Sequence, residues 1–279
     1  MEHQRNQDIW RDRVIVGTII GATPPAWMAS AYEAYRAVVL NPAYPCFYGT
    51  QSERLGDIYY SYVDDGCLHH LPETLRTFLA IGTISDRKRR NMALFLDPRR
   101  APRDHEEARA QFWDVLAYLR DHDRQGAATS LDADHPLWEF SFGGSMMFVV
   151  GASPTYLSRH SRNLGDGMVL LFQPREVFID PLNGRPIEME ARARIRERLQ
   201  AWDGMAAHPD LGVYGDPSNR EWRQYFLPDD NQPVRGQCPF AHGPAARPAD
   251  AISERSEKAG VLVAGPEAGL VLAAKPVSA

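Results

Sequence analysis

Hydrophobic positions recur with a helical period in three segments of the chain. The first, residues 25–40, ends at the prolines of NPAYPC, and the second is DHEEARAQFWDVLAYLRDHD, with acidic residues in its first turn. The third is EMEARARIRERLQAWDG, which Gly204 closes. We also expect a short helix in SPTYLSRHSRN, with Ser153 as its N-cap.

Short apolar runs between these helices predict strands. RNMALFLDPRR contains a buried strand, Met92 to Leu96, and MVLLFQ at 168–173 is another. LWEFSF and SMMFVVG flank two glycines, Gly143 and Gly144, which is the pattern of a hairpin. Because the hairpins and helices do not follow a regular βαβ alternation, we predict an α+β fold with a single mixed sheet flanked by helices.

The composition changes near residue 244. The remaining sequence is rich in alanine, glycine and proline and has only two short aliphatic runs. Such a segment buries little apolar surface. We therefore predict one catalytic or binding domain, residues 1–244, and a poorly ordered or weakly docked tail, residues 245–279.

The overall composition is that of an ordinary soluble protein, with 44% hydrophobic and 24% charged residues. A net charge of -5 gives no reason to expect nucleic acid or a membrane as a partner. Three widely spaced cysteines without a CxxC pair argue against a disulfide framework and a zinc site. The apolar run VIVGTIIG has a signal peptide as its alternative interpretation, but a glycine interrupts it and no small-residue cleavage site follows. We expect a cytoplasmic protein.

The densest aromatic segment is HPDLGVYGDPSNREWRQYFLPDDN, residues 208–231. So many rings in a polar segment indicate that it packs around something, because aromatic side chains usually bury their area. The common phosphate, zinc and serine-nucleophile motifs are absent from the sequence. The aromatic and methionine residues of WEFSF and SMMFVV fit either a core or the wall of a cofactor pocket, and the pattern alone favours a core.

The order of several short motifs resembles the YqcI/YcgG family. The motifs are YPCFYG at 44–49, WEFSFGG at 138–144, SPTYLSRHSRN at 153–163, QPREVF at 173–178, RIRERL at 194–199, the segment 208–231, and CPF at 238–240. They extend from Tyr44 to Phe240, and the tail lies outside them.

That resemblance implies a haem-dependent N-hydroxylase of guanidine-type substrates in small-molecule biosynthesis. The implied cofactor is haem b, held without covalent attachment because the chain has no CxxCH. The implied reaction is that of D-cycloserine-type biosynthesis, L-arginine to Nω-hydroxy-L-arginine, with O2 or peroxide as oxidant. Other guanidino or aminoimidazole substrates, and a cofactor-free binding or scaffold protein, remain alternatives. The oligomeric state stays open, with a homodimer as one option.

A haem iron takes a His, Cys, Met or Tyr ligand from the protein. His208 is one candidate, because Gly204 and Pro209 constrain the backbone around it; its alternative is a turn histidine bonded to the backbone. Cys46 is the other, because a thiolate favours O–O cleavage; its alternative is an inert buried cysteine. Cys238 is a weaker third candidate.

The haem propionates require cationic partners at the pocket rim. Arg159 and Arg162 are spaced to share a helix face, and Arg175 follows a strand end where its guanidinium can be held rigidly. Surface salt bridges are the alternative for all three. Aromatic residues of the same motifs are predicted to pack on the porphyrin or on the substrate: Trp138, Phe140, Trp222 and Tyr225. With these rings, segment 208–231 is interpreted as a wall of the haem pocket.

A guanidinium substrate needs a carboxylate that accepts two hydrogen bonds. Glu139 is the sharpest candidate, because it alternates with Trp138 and Phe140 along a strand and so faces the other side of the sheet. That other side is either the pocket or solvent. Further carboxylates in segment 208–231 are Asp216, Glu221 and Asp230.

Overall fold

The computed structural model describes residues 10–82, 84–85, 88–126, 131–178 and 189–240. A five-stranded mixed sheet lies at its centre, in the order β3-β6-β9-β8-β7. Its strands are β3 (Ile58–Val63), β6 (Asn91–Leu96), β7 (Phe140–Phe142), β8 (Ser145–Ala152) and β9 (Val169–Pro174). Two small two-stranded sheets pair β1 (Ile15–Val16) with β2 (Ile19–Ile20), and β4 (Ile84–Ser85) with β5 (Lys88–Arg89).

Six α-helices accompany the sheet in the described ranges. They are α1 (Ala26–Val39), α2 (Phe47–Leu55), α3 (Leu71–Ile81), α4 (His105–Asp121), α5 (Met189–Asp203) and α6 (Glu221–Tyr225). Among these same residues, no helix has the length and apolar character needed to cross a bilayer. The predicted tail, 245–279, lies outside the described residues.

The predicted α+β class is confirmed, including the hairpin of β7 and β8. Gly143 and Gly144 form its turn at φ of 57° and 75°, values that L side chains rarely adopt. The pattern analysis did not predict β3 or its parallel pairing with β6, which has α3 in the connection. The other neighbours in this sheet are antiparallel.

The helix predicted in SPTYLSRHSRN is wrong. The chain there makes turns and one short 3-10 helix, His160–Arg162. The cause is Asp229, whose carboxylate accepts the backbone N–H groups of Leu157, Ser158 and Arg159. Because a distant side chain satisfies these donors, a helix is not needed to satisfy them.

Side chains alternate between the two faces of the central sheet and build two cores. On one face, Leu94, Val149 and Phe172 pack with residues of α3, α4 and α6, including Phe112 and Trp222. On the opposite face, α1 covers β3 and β6.

Tyr35 of α1 meets Phe95 there with ring centroids 5.6 Å apart. Beyond this second core, the same face of β8 and β9 borders a cavity.

Candidate functional site

A cavity of about 1140 Å³ lies against the sheet. Its floor is made by alternate residues of the two strands β8 and β9: Phe148, Val150, Leu171 and Gln173. Residues of α2 and α5 form its other walls, among them Cys46, Gln51, Leu55, Arg192 and Ile195. Its volume is slightly above the usual range for small-molecule and cofactor pockets, about 300–1,000 Å³.

Cys46 stands at the N-terminus of α2 and lines the cavity. Its sulfur accepts the backbone N–H of Gly49 at 3.3 Å. Burial raises the pKa of this thiol, while the N–H groups of Gly49 and Tyr48 act in the opposite direction. Helix α2 continues from here along the cavity and ends at Gly56, whose φ of 72° is left-handed.

The aromatic rings that line the cavity come mainly from the first third of the chain. They are Tyr35, Tyr44, Phe47 and Tyr48, joined by Phe148 and Phe178. Of the predicted wall 208–231, only Leu211 and Leu227 reach the cavity. The aromatic density of that segment is explained by the core on the other face of the sheet, where Trp222, Tyr225 and Phe226 are buried.

Arg159 and Arg162 form a buried cationic part of the cavity wall. Arg159 donates to the carbonyls of Pro228 and Asp230 and to Oδ1 of Asn231. Arg162 donates to the carbonyls of Gly151, Gln224 and Tyr225. Neither forms an ion pair with a described residue. Burial without a paired carboxylate lowers the pKa of both groups and leaves this part of the wall attractive to anions.

Arg175 also lines the cavity, but carboxylates already hold it. Its Nε donates to Oε2 of Glu139 at 2.7 Å, its Nη2 contacts Oε1 of the same residue, and Oε2 of Glu221 lies 3.7 Å away. The guanidinium also lies 3.8 Å from the ring centroid of Tyr214. Glu139 is only 1% exposed and does not line this cavity; with Trp138 and Phe140 it lines a second, smaller one of about 80 Å³. It is a partner of Arg175.

The predicted aromatic site residues lie away from the cavity. The hydroxyl of Tyr225 accepts the N–H of Phe140 at 2.9 Å and donates to the carbonyl of Met147 at 3.1 Å. These bonds fasten α6 to the hairpin of β7 and β8. Trp222 is buried in the same core, and Trp138 packs against its edge. The structure thus gives these four residues contacts in the core.

His208 is 2% exposed and both of its ring nitrogens have partners. Nε2 lies 3.0 Å from the carbonyl of Gln232, and Nδ1 accepts the N–H of Asp210. This is the neutral tautomer with a proton on Nε2. His208 does not line the cavity. Its bonds match the turn-histidine alternative.

We expect the free energy of unfolding to depend on pH because His208 is neutral in the folded protein. Burial lowers the pKa of His208. Unfolded histidine gains its proton near pH 6.5, so the unfolded state binds more protons below that pH and stability falls as the pH drops. In His208→Gln this loss, at most about 1.4 kcal/mol per pH unit, should disappear. Urea unfolding of both proteins from about pH 7.5 to about pH 5 measures it, and an unchanged acid slope would contradict it.

The remaining candidates also lie elsewhere. Cys238 is buried in the core on the far face of the sheet, Asp216 bonds Ser218, and Asp230 accepts the N–H of Gln232. Within the described ranges, no three His, Cys, Asp or Glu side chains converge on a common metal position. A haem iron needs only one or two protein ligands, so this finding does not bear on it.

The sequence analysis missed one carboxylate. Asp57, which follows Gly56 and precedes β3, is the acidic residue among the described side chains that line the cavity. It is 4% exposed, and its Oδ1 has no hydrogen-bond partner among the described residues. Its position in the sequence could have indicated this role. Asp57 directly precedes the apolar run IYYSYV, and a charged residue at the start of a strand lies at the edge of the sheet.

Comparison with known proteins shows which family this chain resembles. Residues 35–241 match the YqcI/YcgG family. YcgG of Bacillus subtilis (strain 168) is 34% identical over 229 residues, which cover 78% of this chain and 89% of the relative. YqcI of the same organism is 32% identical over 234 residues, 79% of this chain and 90% of the relative.

A more distant relative carries a name with an activity. It is a candidate N(omega)-hydroxy-L-arginine synthase, DcsA, of Streptomyces lavendulae, 26% identical over 230 residues, 79% of this chain and 86% of the relative. No solved structure matches the chain. The family match covers most of the chain, including the cavity-lining residues from Tyr35 to Leu227. The chain belongs to the YqcI/YcgG family.

Proposed function

We propose that the chain binds one haem b in the cavity through Cys46 and hydroxylates a guanidino nitrogen, with L-arginine as the first substrate to test. One observation carries the proposal: the sulfur of Cys46 borders the cavity, next to a buried cationic wall. His208, the other ligand candidate, is outside the cavity and bonded through both nitrogens.

The cavity suits the size and charge of a haem. Its floor offers apolar surface from Phe148, Val150 and Leu171, against which a porphyrin would pack. Arg159 and Arg162 present buried positive charge to the cavity, and propionates are the groups of haem that such charge attracts.

Several cavity-lining residues have atoms that bind haem iron in proteins: Cys46, Met92, Tyr35, Tyr44 and Tyr48. The N–H groups of Gly49 and Tyr48 at the start of α2 favour Cys46, because they oppose the burial that raises the pKa of its thiol. Tyr44 instead donates its hydroxyl to the carbonyl of Ser161, and its pKa is raised by burial, so its phenolate is disfavoured. Met92 is neutral and gives no electron donation comparable to a thiolate.

A thiolate-ligated haem, when bound, supplies O–O bond cleavage. The residues of this chain then have three tasks. Cys46 provides the anionic sulfur, Arg159 and Arg162 hold anionic groups, and the apolar floor keeps water from the reacting nitrogen. Insertion of one oxygen atom into a guanidino N–H is balanced by peroxide alone, or by O2 with a two-electron reductant and release of water.

The name of the relative DcsA supports arginine as the substrate class. Arg192 and Arg194 of α5 also line the cavity, and the carboxylate of an amino acid is a group that such cations can bind. The family match alone does not distinguish arginine from other guanidino compounds. The experiment therefore uses a panel of guanidino substrates.

We expect protein purified from haem-supplemented cells to show a Soret band, and its ferrous-CO form to show the long-wavelength Soret of a thiolate complex. Incubation with L-arginine and peroxide, or with O2 and a reductant, should give a product with one added oxygen on the guanidino group by tandem mass spectrometry. Colourless protein under these conditions would instead favour a cofactor-free binding protein. Oxygen found on the carbon chain would contradict N-hydroxylation.

A further inference from the structure

Asp57 carries a buried carboxylate whose Oδ1 has no hydrogen-bond partner among the described residues. Its side chain is 4% exposed and lines the cavity. Arg13, which packs against the preceding turn at Gly56, donates to the carbonyl of Ile58 and lies over the ring of Tyr60. It forms no ion pair with Asp57 among the described contacts. A buried charge without a partner is costly, so a cation from outside the chain would be stabilised here.

The neighbours of Asp57 are polar and neutral. Ile58 is in register with Asn91 across the parallel pair, and the N–H of Asn91 donates to the carbonyl of Asp57. Gln173, near the end of β9, also lines this part of the cavity. The oxygens of a carboxylate and of a side-chain amide are all hydrogen-bond acceptors, so together they can bind a ligand with several N–H groups.

Asp57 and the pair Arg159 and Arg162 lie at opposite ends of the cavity floor, and Arg175, Arg192 and Arg194 line the cavity as well. Asp57 is at the edge where β3 begins and β9 ends, whereas Arg159 and Arg162 follow the end of β8, where β9 begins. The six residues of β9 span about 20 Å at about 3.3 Å per residue. The carboxylate and the guanidinium of one arginine molecule are much closer together than this, so an arginine held at Asp57 does not also reach Arg159 and Arg162, which stay available for the haem propionates.

We infer that Asp57 binds the guanidinium of the substrate. The inference rests on the proposed function and adds the residue that selects the charged group. A guanidinium presents two parallel N–H donors that match the two oxygens of a carboxylate. Helix α2 has nine residues, about 14 Å of helix, between the Cys46 end and the Asp57 end of the cavity. The reacting nitrogen can therefore lie between the sulfur and the carboxylate.

The test is the preference for L-arginine over L-citrulline, which has the same length but a neutral ureido group. Calorimetric titration of wild-type holoprotein should show arginine binding on the order of 100-fold more tightly, the usual scale for a buried charge pair. In Asp57→Asn the two ligands should bind within a few fold of each other, with the Soret band unchanged. Exposed Asp166→Asn, which changes the net charge equally, should keep the wild-type preference.

Each other outcome has a distinct meaning. If wild-type protein hydroxylates arginine and Asp57→Asn keeps the preference for arginine, the inference is wrong and the proposed function stands. If Asp57→Asn loses affinity for both ligands alike, the carboxylate binds the α-amino end, and the inference is again wrong. If wild-type protein takes up haem yet binds neither arginine nor another guanidino compound, the proposed function fails and the inference with it.

Discussion

Cys46→Ala is expected to reduce N-hydroxylation to the background rate and to remove the thiolate signature of the ferrous-CO spectrum. The reason is that a thiolate ligand would favour O–O cleavage, and alanine removes the only sulfur at the N-terminus of α2. Haem that still enters the cavity would have another ligand or none. Product yield by mass spectrometry and the CO spectrum measure the two effects separately.

The other two cysteines provide matched controls. Cys67 is exposed, and Cys238 is buried in the core on the far face of the sheet. Cys67→Ala and Cys238→Ala should both keep the wild-type spectrum and activity. His208→Ala should keep the spectrum as well, although it removes two buried hydrogen bonds. An unchanged CO spectrum in Cys46→Ala would mean that another residue is the iron ligand.

Arg175→Met should lower the free energy of unfolding by about 3–5 kcal/mol, the scale for breaking a buried ion pair. Its guanidinium neutralises Glu139 and approaches Glu221, both buried carboxylates. Burial raises the pKa of Glu221, and the charge of Arg175 opposes part of that rise. Without the arginine, Glu139 loses its paired cation, and Glu221 keeps only the influence of Arg192. Urea unfolding at neutral pH measures the change.

A surface arginine is the control for this effect. Exposed Arg103, just before α4, pairs with Glu107 in the first turn of that helix, and Arg103→Met should leave the free energy of unfolding nearly unchanged, because exposed ion pairs contribute little. The double variant Arg175→Met with Glu139→Gln should recover part of the loss, because one buried negative charge is then removed. If Arg175→Met changed the free energy of unfolding as little as Arg103→Met, the ion pairs of Arg175 would not stabilise the fold.

The fold could be predicted to the level of class because its strongest signals are local. The spacing in α4, the glycine pair of the β7–β8 hairpin and the closing Gly204 of α5 depend on neighbours in sequence. The missed features depend on distant partners. Asp229 reaches the backbone at 157–159, about 70 residues away along the chain, and no local pattern announces it.

The candidate site shows the same division. Cys46, Arg159, Arg162 and Arg175 were predicted from motifs, and the structure brings all four to one cavity. Glu139 was predicted from its alternation along a strand, and His208 from the constraint that Gly204 and Pro209 place on its backbone. Their side chains are instead used by Arg175 and by the backbone at Gln232. A sequence gives the type of each polar group, but which groups already have partners is decided by tertiary packing.

The bonds of Arg159 and Arg162 have a consequence for how this chain tolerates sequence drift. Of their six acceptors, five are main-chain carbonyls and one is the side chain of Asn231. A main-chain acceptor is supplied by any residue type, so positions such as Gln224 and Asp230 can change identity without losing these bonds. The positions of Arg159 and Arg162 should therefore be preserved when side chains change in the segment that binds them.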